Sequence, residues 1–241
     1  MVRSVQLCLA LVVSLVLAAS SHAAVQDFNG QWVDVEYWAG SGSNAAVLVV
    51  DFGSGNNYAF GYRWDDEDTF TRVSSPTTTP QGQNWLDTPG NGTGAANLSE
   101  AMVLAMANYG GGEALSLTYR YTQFGLGVES LSYQGHTMLN DFVNTWPNID
   151  SNIALWLSGY PAYTDWFGDP HDASPADGQT WISSPEGAST RMLSDGYYDG
   201  WSWASGSAFP DAPVTPIPEP VSLAMLGMGA TLLMFRRRKS A

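Results

Sequence analysis

From Gln31 to Tyr37 the chain alternates, with Trp32, Asp34 and Glu36 set against Val33, Val35 and Tyr37. A period of two marks a strand that buries one face, so this pattern commits the region to a sheet. Ala45 to Phe52 is an apolar, β-branched run that suits a fully buried strand, and Tyr58 to Trp64 reads as a third, aromatic one. The turn residues Gly40 to Asn44 join the first two as a hairpin. Further strands are expected over 114–121, 126–133 and 153–158, with a final pair around Arg191 to Leu193 and Tyr197 to Trp203. Ser74 to Gly94, full of Thr, Pro and Gly, reads as a long loop. Only one window suits a helix: Asn97-Leu98-Ser99-Glu100 as a cap, then residues through Asn108, with Leu98, Met102, Ala105 and Met106 on one face. Gly110 to Gly112 ends it. The expected class is α+β and β-dominated, a mostly antiparallel sheet or sandwich with one main helix.

Both ends of the chain break this pattern. Arg3 precedes an apolar stretch from Val5 to Ala19, and Ser21 and Ala23 are small residues placed for cleavage after Ala23. That is a secretory signal peptide over residues 1–23. Cys8, the single cysteine, lies inside it, so the exported part is expected to have no disulfide, no thiol chemistry and no cysteine-ligated metal. At the other end Pro218-Glu219-Pro220 precedes an uncharged apolar run, Val221 to Phe235, and then Arg236-Arg237-Arg238-Lys239. As a helix the run would reach about 22 Å, short of the ~30 Å hydrocarbon core, so it is expected to cross a membrane only with help from snorkelling flanks. The cations hold that end on the cytoplasmic side. The two prolines stop the helix from extending backwards and expose Glu219. The body from 24 to 204 is expected to be one exported β-rich domain, with 205–216 as linker and 217–241 as the tail.

The order Pro-Glu-Pro, short apolar helix, basic terminus resembles the PEP-CTERM sorting signal of Gram-negative bacteria. The resemblance covers roughly Ile217 to Ser240 and makes Pro218, Glu219, Pro220, Arg236, Arg237 and Arg238 the signal residues. It implies recognition by an exosortase-type membrane enzyme, removal of the tail, passage through the secretion machinery and delivery to the cell surface or extracellular matrix. Exopolysaccharide is the neighbour such a destination suggests.

Setting the two ends aside changes the charge balance. Arg63, Arg72, Arg120 and Arg191 are then the only basic residues, against 22 of the 23 carboxylates. Phosphate-backbone binding needs clustered cations, so nucleic acid is not an expected partner. Such acidity favours solubility outside the cell, with calcium as the one conceivable cofactor.

Catalytic motifs are missing from the sequence: it has no His-Glu-x-x-His, no Gly-x-Ser-x-Gly and no phosphate-binding glycine loop. The expectation is a non-catalytic protein, with a secreted glycosidase as the weakest alternative, since the acids offer no distinguishable pair. Asp65 to Asp68 lacks the alternating ligands of a calcium loop and reads as a charged turn. Asp165, Asp169, His171 and Asp172 gather in one segment with Trp166 and are candidate metal ligands, against the plainer reading of an irregular acidic loop. Trp166, Trp201 and Trp203 are candidates for a sugar-stacking platform, against the plainer reading of core and cross-strand pairs. Short pieces at Gly61 to Asp65, Ile153 to Gly159, Gly187 to Ser189, Leu193 to Gly196 and Trp201 to Trp203 resemble a β-grasp-like surface domain, similar to the C-terminal domain of transcobalamin. That likeness implies an extracellular ligand-binding or interaction module, and it transfers no binding residue.

Overall fold

The computed structural model describes residues 24–72, 92–122, 125–140, 151–158, 163–164, 170–171, 181–206 and 208–216. The signal segment, Pro218 to Pro220, the apolar run, Arg236 to Arg238, Asp165, Trp166, Asp169 and Asp172 lie outside the described residues. Among those described, no helix is long and apolar enough to cross a membrane.

Strand dominates. In chain order the elements are β1 (Ala24–Phe28), β2 (Gln31–Gly40), β3 (Asn44–Asp51), β4 (Asn57–Trp64), β5 (Thr69–Thr71), β6 (Thr93–Ala95) and the helix α1 (Ser99–Ala107). After these come β7 (Ser116–Thr122), β8 (Gly125–Tyr133), β9 (His136–Leu139), β10 (Ser151–Ser158), β11 (Tyr163–Thr164), β12 (Pro170–His171), β13 (Ile182–Ser183) and β14 (Tyr197–Ser205). The main sheet has seven strands in the order β1-β2-β4-β3-β14-β10-β13. It is mixed: β2 with β4 and β3 with β14 are parallel, and the other neighbours are antiparallel. A second sheet, β7-β8-β9, is a meander, and β5-β6 and β11-β12 are short ribbons.

The expected hairpin between Gln31–Tyr37 and Ala45–Phe52 does not form. Instead β4 inserts between β2 and β3, and the tight hairpin is β3–β4. The Gly40 to Asn44 link crosses the end of β4, passing so close that a Cβ on Gly40 would lie 2.3 Å from the Arg63 carbonyl oxygen and one on Gly42 would lie 2.1 Å from the Trp64 backbone. Both glycines have positive φ, so their absent side chains permit the crossing in geometry as well as in space. The residues that looked like a hairpin turn are a crossover. Arg191 to Leu193 also forms no strand; Met192 makes a single bridge to Leu98, and β14 pairs with β3 and β10.

The larger core lies between one face of the main sheet and a layer made of α1 and the β7-β8-β9 meander. Leu48, Val50, Phe60 and Tyr62 from the sheet meet Met102, Val103 and Met106 of the helix and Leu131 and Met138 of the meander. The other face carries a smaller cluster of Val33, Val35, Val47, Val49, Ala59 and Tyr198, with Phe28, Trp38 and Trp181 packed on it. β3 is apolar from Ala45 to Val50 because both its faces are covered.

Helix α1 differs from the amphipathic, side-chain-capped helix expected. Ser99 to Leu104 and Met106 are all buried. No side chain caps it. Its first amides instead donate to main-chain carbonyls, Ser99 to Arg191 and Glu100 to Ala188. A buried helix end has its orphan N–H groups satisfied by the backbone packed against it.

Candidate functional site

Beyond β14 the chain, expected as linker, runs in an extended course over the second face of the main sheet. Pro213 packs on Gly200 of β14, where a Cβ would come within 2.5 Å of the Pro213 ring. The Val214 amide donates to Asp51 Oδ2 at the end of β3 (3.0 Å), and Asn57 Nδ2 at the start of β4 donates to the Val214 carbonyl (2.6 Å). The Asp34 amide of β2 then donates to the Pro216 carbonyl (3.2 Å). Residues 208–216 are thus a strap across four neighbouring strands, with Pro210, Pro213 and Thr215 buried. Proline suits the role, because its fixed φ lowers the entropy lost on docking.

Where the strap leaves β14 it borders a cleft of about 460 Å3. The β3–β4 turn forms one wall through Asp51, Gly53, Ser54, Gly55 and Asn57; Trp203, Phe209 and Asp211 form the other. Asp51 shapes that turn by accepting the Gly53 amide on Oδ1 (2.8 Å). Phe209 is 60% exposed and lies edge-on to Trp156, whose Nε1 donates to Ser202 Oγ (2.7 Å). The lining holds two carboxylates, two aromatic rings and no cation. Its size falls in the range of about 300–1,000 Å3 typical of small-molecule sites. Its chemistry suits a neutral polyhydroxylated ligand, whose C–H faces pack on rings and whose hydroxyls donate to carboxylates.

The sequence-derived candidates separate. Trp201 is buried in the large core, and Trp203 is half-buried against it while also reaching the cleft. His171 belongs to β12, paired with Tyr163 of β11. No cluster of three or more metal-ligating side chains occurs among the described residues. Asp65 to Asp68 is a turn whose carboxylates are used locally: Asp65 accepts the Ser43 amide and hydroxyl, and Asp68 accepts the Asp65 amide. Those Ser43 bonds hold the Asp65 carboxyl below its ordinary range. The ring of His136 sits beside Phe52 and Tyr58.

The four arginines of the domain are built into the fold. Arg72 grips the fully buried Glu100 of α1 through Nε to Oε1 (3.0 Å) and a terminal nitrogen to Oε2 (3.1 Å), and Tyr121 donates its hydroxyl to the same carboxylate. Burial, then the Glu100 hydrogen bond, push the Tyr121 hydroxyl far up. Arg191 and Asp199 form a second buried pair at 3.2 Å, and Arg120 pairs with Glu129 across the β7–β8 hairpin. Arg63 is exposed and lies over the Trp38 ring, 4.7 Å from its centre.

Sequence reasoning missed Asp51, Asn57, Phe209 and Asp211. Their only sequence signal is the Gly-Ser-Gly-Asn-Asn turn and a proline-spaced segment, which read equally well as ordinary connections. Compared with known families, curated proteins and solved structures, the chain matches none.

Proposed function

We propose that this chain is an exported, non-catalytic protein of the cell surface or extracellular matrix, processed through its C-terminal signal. The observation that carries the reading is the tail itself: Pro218-Glu219-Pro220, then an uncharged, mainly apolar run of 15 residues, then four cations, in a chain that also opens with a secretory segment. The tail holds the chain in the inner membrane as a transmembrane helix until an exosortase-type enzyme reads the tripeptide. The folded part supports a role that needs no anionic partner. Its arginines are paired with carboxylates or laid on an indole, leaving an acidic exterior suited to the extracellular space. Replacing Pro218, Glu219 and Pro220 by alanine in a producing cell and following the tail by mass spectrometry tests this. The tail should be retained; an unchanged processed product overturns the reading.

A second reading is favoured by the cleft beside the strap, which suits a neutral glycan such as a stretch of exopolysaccharide. It agrees with the ligand-binding role that the β-grasp-like resemblance implies. Isothermal titration of the exported protein with neutral polysaccharides and corrinoids, with and without calcium, examines it. Binding should be abolished in a variant carrying Phe209→Ala and Asp211→Asn, both exposed positions. Silence across the panel leaves the display role alone.

A further inference from the structure

The strap ends where the sorting tripeptide begins. Only Ile217 separates the hydrogen-bonded carbonyl of Pro216 from Pro218. Docking of the strap therefore engages the main chain to within two residues of the tripeptide. An enzyme that takes an extended substrate holds it by main-chain groups on either side of the bond it cuts. On the N-terminal side of the tripeptide those groups are already engaged: the Val214 amide by Asp51, the Val214 carbonyl by Asn57 and the Pro216 carbonyl by the Asp34 amide. The main sheet and the processing enzyme therefore want the same stretch of backbone.

We propose that the strap 208–216 governs tail removal: while it lies across the sheet the tripeptide is withheld, and cleavage proceeds from the undocked fraction. The proposal rests on the sorting reading above for the identity of the enzyme, though not for the competition itself. A substrate whose competent state is a minor population binds more weakly by that fraction. The domain thereby delays its own release from the membrane, and whatever draws the strap off the sheet hastens it.

The test uses the full chain in membranes containing its processing enzyme. Asn57→Ala removes the donor to Val214, and Asp51→Asn leaves too few acceptor oxygens for both the Gly53 and Val214 amides. Each should speed tail removal by about three- to tenfold, the equilibrium value of one hydrogen bond. A third variant inserts six Gly/Ser residues between Pro216 and Ile217. It adds about 20 Å of reach and should speed removal with the strap still docked, as reported by hydrogen-exchange protection of the Val214 amide. In a parallel set, residues 217–222 are replaced by the recognition sequence of a sequence-specific soluble protease. Rates equal to or below the parent in both sets overturn the proposal. If the processing enzyme cuts no variant while the soluble protease shows the acceleration, the strap mechanism stands and the sorting reading falls.

Discussion

Asp199 has no exposure to solvent and faces Arg191. Burial pushes its carboxyl above the ordinary value of 3.8, and the guanidinium pulls the other way without cancelling the effect. The native state therefore holds the proton to higher pH than the unfolded chain does. This group's contribution to stability is full below 3.8 and is lost as pH rises through its folded pKa. Asp199→Asn cannot titrate, so its stability relative to the parent should improve steadily over that rise, measured by urea unfolding at successive pH values; parallel profiles contradict the assignment. Glu100 gives a test of pairing. Glu100→Ala strands Arg72 and Tyr121 and should cost about 3 kcal/mol, the low end for a broken buried pair because Arg72 is 24% exposed. Glu100→Gln, which keeps the shape, should cost less in the same assay. Counting cations in the sequence already showed how few there were. Which carboxylate each would take was not legible, because Arg72 and Glu100 stand 28 positions apart and meet only through packing of α1.

At the scale of elements, β2 carries the most instructive departure. Its odd-numbered residues from Gln31 to Ala39 are all buried, as the alternation promises. Yet Val33 and Val35 enter the small cluster while Tyr37 and Ala39 enter the large one. A register shift against β4 between Val35 and Trp38 turns the strand over, since one extra residue exchanges the two faces. Uniform alternation in sequence thus conceals a bulge that feeds two cores. Inserting one alanine after Glu36 should displace the following residues by one place against β4 and send Tyr37 and Ala39 to the wrong side. We expect a loss above about 4 kcal/mol, in the range reserved for disrupted cores, whereas Glu36→Ala should cost about 1 kcal/mol or less. Urea midpoints of the two variants decide it. Helix α1 makes a similar point: its place along the chain was readable, but burial on every side was not, because nothing local announces that Gly187 to Arg191 will close over its N-terminus.

For the whole molecule the strap is the feature that matters. Ending the chain after Ser205 rather than after Pro216 removes the three hydrogen bonds made with Asp34, Asp51 and Asn57 and uncovers part of the second face. The shorter chain should be less stable by about 2–3 kcal/mol, taking typical net values for each bond. Equal urea midpoints would mean that the strap contributes nothing to the fold. Composition alone places these residues in a connector, and in isolation they could be one. By itself the sequence determined that the body is β-dominated with one helix, that its acids far outnumber its cations, and that both ends depart from the body's pattern, because periodicity, charge and segment length are local properties of a chain. Only the tertiary structure decided that β4 inserts between β2 and β3, which face each strand residue serves, and that residues 208–216 bond to strands of the main sheet. Those outcomes depend on which distant surfaces compete for the same apolar face and the same backbone hydrogen bonds, and no local pattern records the winner.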